Sequence, residues 1–158
     1  MFDVVIEFPK MKVGVATREE RVVEIRYLPA TTPTKIPTSP FVASVASQLE
    51  GYRADPDARL DFPMAVEGTP LQRAVWDAMR AIPRGKTRTY GDIARELGAD
   101  ARDIGQACGD NRLPIVIPCH RVVAANGLGG FAHATSGYLI EVKRWLLAHE
   151  APAFELRP

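Results

Sequence analysis

A thiol, an imidazole and a guanidinium follow one another in the stretch "PIVIPCHRVV", which covers residues 114–123. Pro118 lacks a backbone N–H and has a fixed φ, so the apolar run before it, which has the composition of a buried strand, should end at a rigid corner. Cys119 would lie at this corner beside His120. Because the thiolate is the nucleophile and an imidazole can take its proton, directly or through water, the pair predicts nucleophilic chemistry.

A purely structural interpretation of these residues stays open, since cysteine is among the most often buried residue types and a lone histidine is more often structural than catalytic. Two further polar residues bear on the choice. Glu150 ends the last predicted helix, where its carboxylate could orient His120. Asn111 lies in the tight "GDNRLP" turn, where its amide could hold backbone across the corner. The spacing leaves open which of these groups meet in space.

The overall composition predicts a globular protein of one ordinary domain or two small ones. The chain has 158 residues, of which 46% are hydrophobic and 25% charged. It contains no apolar run of the roughly 20 residues that a membrane helix needs, and its first residues do not resemble a signal peptide. We therefore expect a cytoplasmic protein without membrane association.

Cysteine, histidine and charge patterns narrow the function classes further. The two cysteines and three histidines lack the spacing of a metal site, so we expect no metal, and a structural disulfide is not expected in a cytoplasmic protein. The net charge is only +1, with a slightly acidic first part and a slightly basic second part. This distribution permits nucleic-acid binding without requiring it.

The first part of the chain, residues 1–66, reads as a small sheet domain. The segments "FDVVIEF", "MKVGVAT" and "RVVEIRYL" are rich in β-branched residues and are separated by turn signals, which predicts a three-stranded meander. A proline-rich loop follows, and then a helix with Ser39 as its N-cap and Pro40 as its first residue. The segment "RADPDARLDFPMAVEG" is interpreted as an extended linker.

The second part, residues 67–158, reads as helical. Its first helix is predicted to begin at Pro70 after the cap residue Thr69 and is followed by the basic turn "PRGKTRT". A short helix, a break at Gly98 and a second helix capped by Asp100 then have the spacing of a helix-turn-helix. Helical hairpins are common, so this pattern alone permits DNA binding without requiring it.

Two helices of the second part are predicted to be amphipathic. The first should bury one side, consisting of Leu71, Val75, Ala78, Met79 and Ile82. The last, within "TSGYLIEVKRWLLAHE", should turn four residues inward, namely Leu139, Val142, Trp145 and Leu146.

Several motifs together resemble one known family. "PIVIPCHRVV", preceded by "IGQACGDN" and followed by "VKRWLLAHE", resembles the O6-alkylguanine-DNA alkyltransferases, also called methylated-DNA–protein-cysteine methyltransferases. "GTPLQRAVWDAMRAIPRGKTRTYGDIA" is also similar to that family, and the resemblance spans residues 67–150. It implies an α/β (α+β) fold. A small N-terminal antiparallel β-sheet domain with a helix, ribonuclease H-like, would precede a mostly helical C-terminal domain of the winged helix-turn-helix type.

The resemblance also implies an activity. Members of this family bind damaged duplex DNA, flip O6-alkylated guanine into a pocket and transfer the alkyl group irreversibly to the motif cysteine, without a cofactor. By resemblance, Cys119 is the acceptor, His120 deprotonates it through a water, Glu150 holds the imidazole, and Asn111 bridges the helix-turn-helix to the active-site turn. We expect a monomer whose partner is double-stranded DNA carrying O6-alkylguanine, with O4-alkylthymine left open.

DNA-binding residues follow from the same resemblance. Tyr90 would crowd the 3′ phosphate of the flipped nucleotide, and Arg102 would enter the vacated space in the base stack. The small Ala101 would let its helix approach the minor groove. Phosphate contacts are expected from a set of residues around the basic turn, namely Thr89, Arg84, Lys86 or Arg88, although a solvated loop explains most of its charges equally well.

The guanine pocket is the last part that the resemblance assigns. Its walls would include Pro114, Tyr138 and the loop "LGGFAHATSGY", while the carbonyls of Cys119 and Val122 would accept from the exocyclic amine. Lys143 would approach the base, with an exposed helical lysine as the alternative. Arg121 should pair with a carboxylate beneath the corner, and Cys108 should pack within its helix. The loop from Gly127 to Tyr138 looks longer than in shorter-loop relatives, which leaves the preferred alkyl size open.

Two competing functions remain at this stage. One is a lesion-binding DNA module in which Cys119 is chemically silent. The other is a cysteine hydrolase that uses Cys119 and His120. Loss of alkyl transfer on removal of the Cys119 thiol, with lesion binding retained, separates the transferase from the binding module.

Overall fold

A computed structural model describes residues 1–131, 133 and 137–151. The chain divides into two compact units, Met1–Val66 and Glu67–Pro158. Within the described ranges, none of the helices has the length and apolar character needed to cross a bilayer.

The first unit is a three-stranded antiparallel sheet with one helix, as predicted. The strands are β1 (Val4–Glu7), β2 (Lys12–Arg18) and β3 (Arg21–Leu28), in the order β1-β2-β3. The helix α1 (Pro40–Ala54) begins where the Ser39 hydroxyl accepts a hydrogen bond from the Val42 N–H.

Both outer strands of this sheet pair with loop segments. Lys35, from the proline-rich loop, exchanges two backbone hydrogen bonds of 3.1 Å with Val5 in β1. On the other side, Val22 in β3 donates to the Pro63 carbonyl at 2.9 Å and accepts from the Ala65 N–H at 3.0 Å. Part of the predicted linker is therefore held against the sheet, where it covers an edge that could otherwise pair with another chain.

The second unit is mostly helical, as predicted. Its helices are α2 (Pro70–Arg80), α3 (Tyr90–Leu97), α4 (Ala101–Gly109) and α5 (Tyr138–Glu150). A single 3₁₀ turn, Cys119–Arg121, precedes the short strand β5 (Val122–Val123), which runs parallel to β4 (Arg88–Thr89). The β4–β5 pair places the beginning of α3 beside the 3₁₀ turn.

The helix-turn-helix boundaries follow from local capping chemistry. Helix α3 begins with a capping box in which Thr89 and Asp92 exchange side-chain-to-backbone hydrogen bonds, each of 3.0 Å. It ends at Gly98, whose φ of 63° lies in the left-handed region that glycine adopts without strain. The Asp100 carboxylate then accepts from the Arg102 N–H at 2.8 Å and begins α4.

The predicted strand before Pro118 is wrong, because residues 114–117 form a turn. The Ile117 N–H donates to the Leu113 carbonyl at 2.9 Å, and Ile115 has a φ of 75°. The side chains of Leu113, Ile115 and Ile117 are nevertheless buried. An apolar run signals burial, and here the backbone achieves that burial without strand pairing.

The predicted buried faces of α2 and α5 need correction. In α2, Leu71 is exposed, whereas the rest of its predicted apolar side is buried. In α5, Leu139 and Trp145 are only partly buried. The fully buried side of α5 includes two charged residues and consists of Val142, Lys143, Leu146, Leu147 and Glu150.

Replacement of Gly98 by alanine should lower the free energy of unfolding by about 1 kcal/mol, because alanine is strained at positive φ. A Cβ at Gly98 meets no atom within 4 Å, so the loss would come from backbone conformation alone. Urea unfolding measures the change.

Two matched variants test the cause. Gly98→Asn should lose less, since asparagine tolerates this conformation. Gly105→Ala, inside α4, also meets no atom within 4 Å, and it should gain stability from helix propensity. Equal losses for Gly98→Ala and Gly98→Asn would contradict the explanation.

Candidate active site

The Cys119 side chain lies in the wall of a cavity of about 450 Å³ in the second unit. Cys119 is the first residue of the 3₁₀ turn, and its N–H donates to the Ile117 carbonyl at 2.8 Å. The remaining wall comes from α3, from α4 and from the loop before α5, namely Tyr90; Ala101, Arg102, Gly105, Cys108 and Gly109; and Gly130, Phe131 and His133. The cavity therefore lies between the helix-turn-helix and this loop.

The Cys119 thiol is held in its protonated form. Burial raises its pKa, and this effect outweighs the hydrogen bond from Asn111 and the positive charge of Lys143, both of which lower the pKa. At neutral pH the resting residue is therefore a thiol. A base must take its proton before the sulfur can act as a nucleophile.

His120 is a base suited to this task. Its ring is completely buried, and its Nε2 lies 2.8 Å from Oε2 of Glu150. This separation is short enough for a hydrogen bond or an ion pair between the ring nitrogen and the carboxylate. Burial lowers the pKa of His120, although the Glu150 carboxylate opposes that shift, so the imidazole is neutral at pH 7.

The proton bound to Nε2 faces Glu150 in the neutral tautomer that this contact favours. The other ring nitrogen, Nδ1, then carries a lone pair, and it has no hydrogen-bond partner among the residues that the structure describes. Nδ1 is therefore the atom that can accept a proton.

Glu150 is fixed by Arg121 as well as by His120. Nε of Arg121 donates to one Glu150 oxygen at 2.9 Å and Nη2 to the other at 3.0 Å, while Nη1 donates to the Ile82 carbonyl at 2.7 Å. Such a bidentate pair fixes the carboxylate in position and orientation. The expected pairing of Arg121 with a carboxylate beneath the corner is confirmed.

Asn111 connects the end of α4 to the turn that carries Cys119. Its Nδ2 donates to the Ile117 carbonyl at 2.8 Å, and its Oδ1 accepts from the Leu113 N–H at 2.9 Å. Both amide groups of the side chain are thus used to fix the turn. The side chain thus links the end of α4 to this turn, and the part that Asn111 would play in alkyl transfer stays a prediction.

Lys143 is completely buried, so its interpretation as an exposed helical lysine is wrong. Its Nζ donates to three backbone carbonyls, those of Val122 at 2.7 Å, Leu128 at 2.8 Å and Gly130 at 3.0 Å. Burial lowers the pKa of Lys143 to about 8, while the three carbonyls favour the ammonium form. Lys143 thereby ties the loop before α5 to β5.

Three of the four predicted DNA-binding residues line the cavity, namely Tyr90, Ala101 and Arg102, and Thr89 precedes Tyr90. The Tyr90 hydroxyl donates to the Gly130 carbonyl at 3.2 Å, and burial raises its pKa. The Thr89 hydroxyl is engaged in the cap of α3. Ala101 and Arg102 are exposed at the beginning of α4, and the Arg102 guanidinium has no hydrogen bond or ion pair with a described residue.

The basic turn is more ordered than a solvated loop. Arg84 donates to the Glu150 carbonyl, and Arg88 bonds to the Glu96 carboxylate and the Asp92 carbonyl. Two of its three cations therefore have partners within the protein.

The predicted pocket residues lie in different elements of the second unit. Pro114 is buried in the turn and Tyr138 is exposed at the beginning of α5, and neither lines the cavity. Val122 is buried, and its carbonyl accepts from Lys143. Of the loop "LGGFAHATSGY", residues 132 and 134–136 lie outside the described residues. The base contacts assigned to these groups stay predictions.

Sequence reasoning missed three cavity residues of α4, namely Cys108, Gly105 and Gly109, whereas Phe131 and His133 belong to the loop "LGGFAHATSGY" that is predicted to form a pocket wall. Helical spacing could have found the two glycines, because Ala101, Gly105 and Gly109 are four residues apart and share one side of α4. Within the described parts of the chain, no group of three or more His, Cys, Asp or Glu side chains could hold a metal ion.

We expect the free energy of unfolding to decrease as the pH is lowered below about 6.5, partly because of His120. The unfolded histidine binds its proton near pH 6.5, whereas burial lowers the pKa of the native residue, so the unfolded state binds more protons in this range. The contribution cannot exceed about 1.4 kcal/mol per pH unit. Urea unfolding at several pH values measures it.

The His120→Asn variant should show a shallower loss of stability in acid than the unchanged protein. His149→Gln is the control, because it removes a histidine that is only partly buried. Equal slopes for His120→Asn and the unchanged protein would contradict a neutral buried imidazole.

Comparison with known proteins identifies the family. Residues 70–152 match the model of the 6-O-methylguanine DNA methyltransferase DNA-binding domain. The methylated-DNA–protein-cysteine methyltransferase of Methanosarcina acetivorans is 35% identical over 158 residues, covering 95% of this chain and 98% of that protein. The Bacillus subtilis constitutive enzyme of the same name is 38% identical over 120 residues, covering 74% and 70%.

Solved structures are similar over nearly the whole chain. The crystal structure of Mycobacterium tuberculosis O6-methylguanine methyltransferase has a TM-score of 0.78 at 32% identity, covering 99% of this chain and 97% of that one. The same organism's OGT in complex with DNA has a TM-score of 0.75 at 35% identity, covering 94% and 91%. The chain thus belongs to the methylated-DNA–protein-cysteine methyltransferases, a family of DNA-binding enzymes.

Proposed function

We propose that this protein repairs DNA by direct damage reversal, moving the alkyl group of O6-alkylguanine in duplex DNA to Sγ of Cys119. The observation that carries the proposal is the cavity wall, in which a nucleophile lies between a helix-turn-helix and a loop. The names of the relatives and the DNA-bound structure of one of them support the same activity.

The chemical step is a displacement at the alkyl carbon. Nδ1 of His120 takes the thiol proton through a bridging water, and the Glu150 carboxylate stabilises the resulting imidazolium. The S–C bond forms as the C–O6 bond breaks, with the bonding electron pair going to guanine O6. The guanine then takes up one proton, so the proton lost by the thiol is balanced.

Single turnover follows from the product. A thioether is not readily cleaved, so each molecule would act once, and the reaction needs no cofactor. The high pKa of the resting thiol is compatible with one use. It also favours the second candidate, a lesion-binding module with a silent Cys119, which the first experiment below addresses.

We infer that α4 enters the minor groove, as in the family. Ala101 and Gly105 would leave little side chain between the helix and the DNA, while Arg102 is exposed and has no partner among the described residues. Base flipping costs a few kcal/mol, which an arginine in the emptied stack would offset. Tyr90 would face the flipped nucleotide, and Thr89 would contribute through the N-terminal backbone of α3.

The remaining proposals concern the residues around the flipped base. Val122, Pro114 and Tyr138 stay proposed contacts of the flipped base. For Lys143 we propose a positioning role, since its three hydrogen bonds go to the backbone that surrounds the cavity. Movement of that backbone would change the pocket even if the ammonium never touched the base.

Cys119→Ala should abolish alkyl transfer while retaining lesion binding. The measurement is intact-protein and peptide mass spectrometry after incubation with a duplex carrying one O6-methylguanine. The unchanged protein should gain one methyl group per molecule, confined to the Cys119 peptide. Cys108→Ala, which changes the other buried thiol in the cavity wall, should still gain it. No methyl gain by the unchanged protein, with the lesion bound, would favour the binding module.

Arg102→Ala should slow transfer from duplex DNA by about tenfold or more, because the emptied stack loses its filler. Transfer from free O6-methylguanine base, which needs no flipping, should be affected less. Arg95→Ala is the matched control, as Arg95 is exposed on α3 and pairs with Asp92. Equal duplex rates for Arg102→Ala and Arg95→Ala would contradict the assigned role.

A further inference from the structure

The His133 side chain joins the loop before α5 to the end of α4. Its Nε2 lies 3.1 Å from Oδ1 of Asp110, the C-cap of α4. Its ring packs so closely on Gly109 that a Cβ added there would lie 2.1 to 2.5 Å from three ring atoms. This approach is possible only because residue 109 has no side chain.

Asp110 is itself held in place for this contact. Its Oδ2 accepts from the Gln72 side chain at 3.3 Å, and its Oδ1 accepts from Gln106 at 3.4 Å. The His133 ring therefore meets a carboxylate that α2 and α4 already position.

His133 also has an unusual backbone conformation. Its φ of 65° lies in the left-handed region, which costs a non-glycine residue about 1–2 kcal/mol. Strain of this kind persists only where surrounding contacts offset it. The contacts with Gly109 and Asp110 supply that compensation.

The contact between His133 and α4 affects the shape of the cavity wall. The cavity is lined by residues of α4 and by the loop segment with Gly130 and Phe131. His133 belongs to the loop but packs on the end of α4, so its ring joins these two parts of the wall. Its side chain is half exposed.

We propose that His133 fixes the separation of these two parts of the wall and thereby limits the size of the alkyl group that Cys119 can accept. The inference rests on the proposed alkyl transfer and adds a specificity-determining residue to it. A methyl group needs little room beside the guanine, whereas a benzyl group needs the two parts of the wall to move apart. Apolar pockets discriminate by roughly 10–200-fold through such differences in size.

Two variants remove the contact by different routes. Gly109→Ala keeps the histidine but displaces its ring, and the helical backbone accepts alanine because it favours helix. His133→Asn replaces the ring with a shorter side chain that tolerates positive φ, so the loop backbone is kept. Gly127→Ala is the control, since a Cβ there meets no atom within 4 Å.

The experiment measures transfer rates from O6-methylguanine and O6-benzylguanine in the same duplex, with mass spectrometry of Cys119 as the readout. We expect the benzyl-to-methyl rate ratio to rise by about tenfold or more in both Gly109→Ala and His133→Asn. It should stay unchanged in Gly127→Ala.

An unchanged ratio in both variants would overturn the inference, even if both rates fell, because it would give His133 only a structural role. A rise in one variant alone would also overturn it, since the effect would then belong to one side chain and not to the contact. Methyl transfer by the unchanged protein tests the proposed function separately. If the unchanged protein transferred no methyl group, the proposed function would fail and this inference would lose its basis.

Discussion

The buried carboxylate of Glu150, shared between Arg121 and His120, is the interaction on which the rest of the site depends. A charge taken out of water must be paired, and here a bidentate guanidinium holds it at the end of α5. The same guanidinium bonds to the Ile82 carbonyl just beyond α2. One ion pair therefore fixes the last helix, the 3₁₀ turn and the segment after the first helix of this unit. Because Glu150 is fixed in this way, its contact with Nε2 also orients the His120 ring.

Burial gives Cys119 a resting state that suits the single use proposed for it. Cys119 is protonated because desolvation raises its pKa, and thiols in this form react slowly with oxidants and stray electrophiles. Asn111 and Lys143 lower that pKa in part and also hold the surrounding backbone. The thiol is thus kept inert, and the residue that follows it carries the neutral imidazole that is proposed to take its proton. Reactivity then depends on a substrate that occupies the cavity.

Sequence reasoning succeeds where the determinants are local. Helix boundaries at Thr69, Gly98 and Asp100 follow from caps whose partners lie within a few residues. It cannot decide between a buried and an exposed Lys143, because the carbonyls that make its burial possible lie 13 to 21 residues away. It fails at Ile115, where apolar composition fixes burial but not backbone conformation. The resemblance predicts the loop of His133 as a pocket wall, but no local signal predicts the contact of its ring with Asp110.

The central claim is that Glu150 activates Cys119 through His120. The most direct measurement is the rate of methyl transfer from an O6-methylguanine duplex to the Glu150→Gln variant, which keeps the side-chain shape and loses the charge. With the fold and lesion binding confirmed by circular dichroism and titration, we expect a rate about 10²-fold lower, as for loss of general-base catalysis. A folded, lesion-binding variant that transfers methyl at the unchanged rate would contradict it.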